Sequence, residues 1–370
     1  MNIRMRALAV SAALLTGAWI VFLARQYHLD LDVYRIGVNV WLSGGDIYGT
    51  LPPTLAGITL PFIYPPISAV AMVPLTAIPF PAASAVLVFL SVVCAGITLA
   101  VTLTSVKLSK NWLVVIPLVL LLEPFRATLD YGQVNIVLMV LVAVDCLAPT
   151  TRWPRGLLVG LAAALKLTPA AFVLFFLLRR DWKSLVTAGV SFAAATAIGF
   201  VAAWDESVRF WTTEVFATGD KVGVGYISNQ SILGVLTRAD ATWLWPLLAV
   251  GVLALTIPAM RRSAPATAFS LNALAMLLVS PISWSHHWVW CLPVIVAFAA
   301  QGHRVLAGIG LGVFVLAPHW WGVPVLENGF FAFAIASLAV PVVAPLLTRR
   351  EDKVPDLPPA AQPAPVPASP

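Results

Sequence analysis

Long apolar runs broken by short polar segments set the pattern of this chain. Runs at 7–24, 82–106, 111–123, 134–148, 156–166, 169–178, 184–203, 242–259, 266–280, 289–300, 304–317 and 330–347 each predict a helix. A helix needs about 20 residues to cross the hydrocarbon core of a bilayer. The shorter runs therefore predict helices that borrow flanking residues, or that break where protein lines a cavity. The expectation is an all-α polytopic membrane protein with about 12 spans. The stretch 67–80 is apolar but short and punctuated by Pro65, Pro66, Pro74, Pro79 and Pro81. It predicts a helix lying at, or dipping into, the outer leaflet.

Composition agrees. Of 370 residues, 60% are hydrophobic and 10% charged, against roughly 25% charged in soluble domains. Mean hydropathy is +0.92. A soluble enzyme, a disordered chain and a nucleic-acid-binding domain are excluded despite the pI of about 9.5. Cys94, Cys146 and Cys291 sit in or beside apolar runs and form no metal or disulfide pattern.

The charges give the runs a direction. Arg4, Arg6, Lys107, Lys110, Arg152, Arg155, Arg179, Arg180, Lys183, Arg261, Arg262, Arg304, Arg349, Arg350 and Lys353 lie in short basic breaks, 15 of the 22 Lys and Arg. The alternate breaks, 25–64, 123–133, 166–168, 204–240, 280–288 and 317–329, hold 11 of the 16 acids. The positive-inside rule puts the basic class in the cytoplasm. Both termini are then cytoplasmic and the acidic, aromatic and amide-rich breaks face outward. Residues 1–350 form the membrane domain, with loops 25–81 and 204–240 making much of its site. The Pro- and Ala-rich segment 351–370 predicts a disordered cytoplasmic tail.

The outward breaks carry the chemistry. In RQYHLDLDVYRIGVNVWLSGGD, Asp30 and Asp32 precede apolar positions at helical spacing, and Gly44-Gly45 ends the helix. Either acid suits an N-cap. Glu123, Arg126, Gln133 and Asn135 abut apolar runs, and Glu123 with Arg126 can pair across a turn. Lys166 stands at a break made by Thr168-Pro169. His286 and His287 lie between Trp284 and Trp288, too close in sequence for a two-ligand helical metal face. No nucleotide-binding loop or zinc motif is present.

Seven motifs in order carry a resemblance: Asp30-Leu31-Asp32-Val33-Tyr34-Arg35; Pro61-Phe62-Ile63-Tyr64-Pro65-Pro66; Glu123-Pro124-x-Arg126; Gly132-Gln133-x-Asn135; Lys166-Leu167-Thr168-Pro169; Asn229-Gln230-Ser231; and Ser280-Pro281-Ile282-Ser283-Trp284-x-His286-His287-Trp288. Together, over residues 25–290, they resemble glycosyltransferase family 87 of the GT-C superfamily, the polyprenyl-phosphate-mannose-dependent alpha-mannosyltransferases of actinobacterial envelopes. The resemblance implies a GT-C-type transmembrane helix bundle in the plasma membrane with its active site on the outer face. It implies a polyprenyl phosphate mannose donor and a glycolipid or lipoglycan acceptor, with no nucleotide sugar and no nucleic acid.

The resemblance places the catalytic aspartate on Asp30, with Asp32 as the alternative, and a donor-phosphate contact on His286 or His287. The expected reaction is inverting, with no cofactor and no metal. Lys166 and Arg126 are further phosphate candidates. Tyr34, Tyr64, Glu123, Gln133, Asn135, Asn229, Gln230 and Trp284 are candidates for sugar and acceptor contacts. The competing readings are a GT-C arabinofuranosyltransferase with a polyprenyl-phosphate arabinose donor, and a lipid or sugar transporter.

Overall fold

A computed structural model of the chain describes residues 3–339. The predicted tail 351–370, the end of the last predicted run at 340–347 and the basic residues Arg349, Arg350 and Lys353 lie outside the described residues. Regular structure among the described residues is helical throughout. Four helices are long and apolar enough to cross a membrane: Arg4–Leu23, Phe80–Ser105, Trp182–Ala202 and Thr242–Arg262. Their apolar side chains face outward as well as inward; Val201 is 89% exposed. Shorter apolar helices include Asn135–Leu147, Thr168–Leu178, Pro265–Val279 and Ser285–Ala300.

One predicted element differs. The run 111–123 is not one helix: a 3-10 turn at Lys110–Val115 passes into a single turn at Ile116–Val119, where Pro117 supplies no N–H to the preceding turn. The proline-punctuated stretch forms Pro66–Thr76, whose 11 residues extend about 16 Å, about half a bilayer core.

Close packing depends on missing side chains. Gly156 has φ +98, and a Cβ there would collide with the Ser184 carbonyl. A Cβ at Gly160 would collide with the Ala188 carbonyl on the same neighbouring helix. The Leu157–Leu165 helix thus lies directly on the backbone of Trp182–Ala202, a small-residue contact suited to helices in lipid. It matters for chemistry because Leu157–Leu165 ends at Lys166, whose own backbone is extended. Leu167 then leads into a 3-10 turn with Pro169 near its start. The residue cannot continue the helix, so its long side chain leaves the helical face.

The Leu29–Leu42 helix lies across this end of the bundle and stops at Gly44, φ +78. Neither aspartate caps it. The N-cap is His28, and no side chain closes the first turn. His28 is instead fully buried, with Nδ1 3.0 Å from the Asp130 carbonyl and Nε2 3.1 Å from that of Leu23. It joins three elements at one point. The Glu123–Tyr131 helix ends there in a left-handed Gly132, φ +70, where a Cβ would stand 2.9 Å from both His28 and Leu31 side chains. Arg35 fastens the other side by donating to the Leu75 and Ile78 carbonyls.

Gly160→Val tests the backbone contact. Forcing a branched side chain into it costs about 1–3 kcal/mol or more. The expected outcome is a clear fall in the thermal midpoint of purified protein, followed by intrinsic fluorescence; an unchanged midpoint rejects the contact.

Candidate active site

The Gly132 turn delivers Gln133 into a buried space between the Asp30 helix and the PFIYPP loop. Gln133 Nε2 donates to Asp30 Oδ2. Its Oε1 faces two hydroxyls, Tyr34 at 2.7 Å and Tyr64 at 3.1 Å. Those hydroxyls lie 2.9 Å apart. The phenols make the amide oxygen the acceptor end, so the NH2 end must meet the carboxylate. Tyr34, Tyr64 and Gln133 are buried, whereas Asp30 keeps partial access to the crevice.

Burial dominates the titration of Asp30. Removal from water raises its pKa from 3.8 to about 6, against the Gln133 hydrogen bond and the nearby Lys166 charge, both of which lower it. Asp32 is two residues on but has a different task. Its Oδ2 accepts from Tyr27 Oη at 2.9 Å and from the Leu55 amide at 2.8 Å, tying the loop 43–65 to the helix.

Lys166 forms the second half of the site. Its Nζ donates to Asn135 Oδ1 at 2.9 Å, lies 3.1 Å from His287 Nε2 and sits 5.4 Å from the Tyr64 ring centroid. Asn135 Nδ2 in turn donates to the His286 carbonyl at 3.0 Å, as Thr128 Oγ1 does at 2.8 Å. The two histidines are therefore not equivalent. His287 lines the crevice with Lys166. His286 turns its ring toward Tyr131 and Trp284, with neither ring nitrogen hydrogen-bonded among the described residues.

Other candidates take other positions. Arg126 is exposed, lines neither cavity described below, and does not pair directly with Glu123. Glu123 is buried and accepts from Trp320 Nε1 at 3.2 Å, with His319 Nε2 at 4.0 Å. Asn229 and Gln230 are fully buried and use their amides internally. Asn229 reaches the Val224 and Pro281 carbonyls and the Ser231 and Ser283 amides. Gln230 reaches the Ile227 and Glu327 carbonyls and the Phe330 amide. They bind three loops together beneath the site. Trp284 is part of the crevice wall.

His28, Tyr27, Gly132 and the 319–330 segment carry positional roles that sequence reasoning missed. The available signal was a histidine two residues before the aspartate and a glycine directly before the glutamine.

The cavities form a series. Asp30, Tyr34 and Gln133 line a small chamber of about 80 Å³. Ile63, Tyr64, Gln133 and Trp284 also line a larger crevice of about 370 Å³ that holds Lys166 and His287. Past Leu167, Thr168 and Trp245 that crevice continues into an apolar trough of about 450 Å³ between the Thr168–Leu178 and Pro265–Val279 helices. A carboxylate in one chamber thus shares a wall with a lysine–histidine pair in the next, and an apolar passage begins behind the pair.

The family profile for glycosyltransferase family 87 matches residues 62–281. The chain belongs to glycosyltransferase family 87. It is a glycosyltransferase, which sets aside the transporter reading. A relative from Mycobacterium tuberculosis is 41% identical over 315 residues, 78% of this chain and 74% of the relative. One from Mycolicibacterium smegmatis is 39% identical over 349 residues, 83% and 79% of the two chains. Both are polyprenol-phosphate-mannose-dependent alpha-(1-2)-phosphatidylinositol mannoside mannosyltransferases. A second Mycolicibacterium smegmatis relative, 32% identical over 79% of this chain and 76% of its own, is the corresponding phosphatidylinositol pentamannoside mannosyltransferase. No solved structure matches the chain.

The two aspartates separate in a stability measurement. The folded Asp30 carboxyl has its pKa raised, so the folded state binds more protons than the unfolded chain between about pH 4 and pH 6. Above that window its ionisation opposes folding. Asp30→Asn removes that charge and should raise the thermal midpoint at pH 7.5 by a few degrees. Asp32→Asn weakens a two-bond loop anchor and should lower it, by about 1 kcal/mol of stability. Thermal scans of both variants check the signs.

Proposed function

We propose that this enzyme transfers mannose from polyprenyl phosphate mannose to a hydroxyl of a phosphatidylinositol mannoside at the outer face of the plasma membrane, with inversion. The observation that carries the reading is the shared wall: a partly accessible carboxylate on one side, a lysine–histidine pair on the other, and an apolar trough behind the pair. The names of the relatives favour mannose over arabinose as the donated sugar.

In the proposed reaction the donor phosphate sits against Lys166 and His287, and its polyprenyl chain runs into the trough beyond Thr168 and Trp245. The acceptor hydroxyl stands at Asp30. Its oxygen attacks the anomeric carbon as the carbon–oxygen bond to phosphate breaks, and that electron pair leaves with polyprenyl phosphate. Asp30 takes the hydroxyl proton. Attack from the face opposite the phosphate turns a beta donor into an alpha product. A positioned base contributes roughly 10²–10⁴-fold. Lys166 supplies positive charge beside the leaving phosphate, where charge develops; the proposed mechanism assigns no role to a metal ion. Gln133 orients the base, and Tyr64 places its ring beside Lys166. Tyr34 fixes the Gln133 amide, Asn135 holds Lys166, and Trp284 forms the sugar-side wall. Glu123, Asn229 and Gln230 support the loops rather than the sugars. Arg126 stands clear of the phosphate position.

The base at about pH 6 gives the pH dependence its sign. A base must be deprotonated, so kcat/KM should fall about tenfold per pH unit below about pH 6; it should fall again above about pH 7, where Lys166, its pKa lowered to about 7 by burial, loses its charge. Asp30→Asn should abolish transfer at every pH. Lys166→Ala and His287→Ala should raise the donor KM or lower kcat by about 10²-fold or more, as loss of one charge-stabilising group does. The direct test supplies labelled polyprenyl phosphate mannose to membranes of a deletion strain with and without the restored enzyme. Label appearing in phosphatidylinositol mannosides only with the enzyme supports the function; label confined to donor rejects it.

Orientation is tested separately. Cys94, Cys146 and Cys291 are buried, so introduced cysteines report cleanly. A cysteine at Asp240 should react with an impermeant maleimide in intact cells, and one at Arg180 should react only after the membrane is opened.

A further inference from the structure

The crevice does not end at Asp30. Leu60 and Pro61 line the Asp30 chamber and also a further chamber of about 320 Å³. This far chamber is bounded by Tyr48, Thr50, Thr59 and Lys221. Nothing in the function proposed above uses it. The series therefore runs from an apolar trough, through the lysine–histidine pair and the carboxylate, to a chamber that mixes Thr50, Thr59 and Lys221 with Leu51, Leu60 and Pro61. Its volume falls within the roughly 300–1,000 Å³ of small-molecule sites.

We infer that this far chamber holds the saccharide of the acceptor, an uncharged mannosyl headgroup, beyond the hydroxyl that reacts. The inference rests on the proposed function, because an in-line displacement needs the acceptor on the side of the sugar opposite the phosphate. With phosphate at Lys166 and His287, and the base in the Asp30 chamber, the body of the acceptor must leave away from the donor. The far chamber adjoins the Asp30 chamber at Leu60 and Pro61 and shares no wall with the Lys166 crevice.

The lining has the chemistry of sugar recognition. The Thr50 and Thr59 side chains are exposed and make no hydrogen bond among the described residues, so each offers a donor and an acceptor. The surrounding frame is fixed. Tyr48 Oη donates to the Tyr64 carbonyl at 2.8 Å, linking the chamber to the reactive wall. The Tyr48 carbonyl accepts from Lys221 at 3.3 Å and Arg209 at 3.4 Å. Lys221 and Arg209 are each paired with Glu214, and Arg209 also bonds Asp46 at 2.6 Å. Two cations thus meet two carboxylates. A chamber whose charges are already balanced favours polyhydroxylated neutral ligands over a free anion, which places the headgroup sugars here rather than its phosphodiester.

Two substitutions at the rim test this, Thr50→Trp and Thr59→Trp, in purified enzyme reconstituted in lipid nanodiscs. The acceptors are a phosphatidylinositol oligomannoside and methyl α-mannoside, with polyprenyl phosphate mannose as donor. Both variants should lose at least about tenfold more kcat/KM for the oligomannoside than for methyl α-mannoside, with the acceptor KM moving more than the donor KM. Equal losses on the two acceptors, or a change confined to the donor KM, overturn the inference. A second readout stands apart from turnover. In Thr59→Cys, oligomannoside should slow maleimide labelling and polyprenyl phosphate should not. Protection without any wild-type transfer would reject the proposed function and keep the site. Normal transfer without protection would reject the site and keep the function.

Discussion

The amide of Gln133 is the point on which the site turns. It is the third party to a contact between a helix near the N-terminus, a proline-rich loop and the turn after Gly132. Its oxygen end is held by two phenols, so its NH2 end is committed to Asp30. A carboxylate left alone in this space would be free to rotate and would take up a proton more readily still. The amide fixes the direction of its lone pairs and favours its ionised form. Because Tyr64 also flanks Lys166, the same aromatic pair connects Asp30 to Lys166. A shift of any one of the three elements moves both.

The cation depends on a broken helix. Lys166 stands where extended backbone interrupts an apolar run, and Gly156 and Gly160 seat Leu157–Leu165 directly on the backbone of the neighbouring helix. A lysine within a continuous helix of this kind would reach for the nearest water. Here it is captured by Asn135 and His287 instead. A charged group kept away from water in this way is costly, and such groups in membrane proteins mark sites of function.

Much of this was legible in the sequence, and the residue types explain which parts. Apolar runs and prolines mark helices by local physics, so most helix positions are close to those expected. The 111–123 run fails because Pro117 interrupts it. The motifs carrying Asp30, Gln133, Lys166 and His287 could be picked out because polar groups beside apolar runs are unusual. What could not be read was who bonds whom across a hundred residues. Asp32 resembles a cap by position, yet it holds Leu55 and Tyr27. Glu123 and Arg126 have the spacing of a pair, yet Glu123 turns to Trp320. Asn229 and Gln230 have the chemistry of sugar contacts, yet their amides are spent on backbone. Local pattern reveals the chemical type of a group; its partner is a property of the assembled chain. For the same reason, adjacent histidines looked interchangeable until one was seen to line the crevice and the other to be walled by aromatic rings.

Asp30 shows why the separation of roles matters. A fold optimised for stability would not place an ionised carboxyl in a space that raises its pKa to about 6. Asp32, a few ångströms along the same helix by sequence spacing, is satisfied by two ordinary hydrogen bonds and serves the loop. The difference is one of environment, because the two residues are chemically identical. One carboxylate stabilises the scaffold and the other is held under strain of solvation by it. The position that opposes folding is the one beside the shared wall, where an accepted proton relieves that strain. In the proposed reaction, the proton taken from an acceptor hydroxyl also relieves the buried charge of Asp30, against the hold of the Gln133 amide.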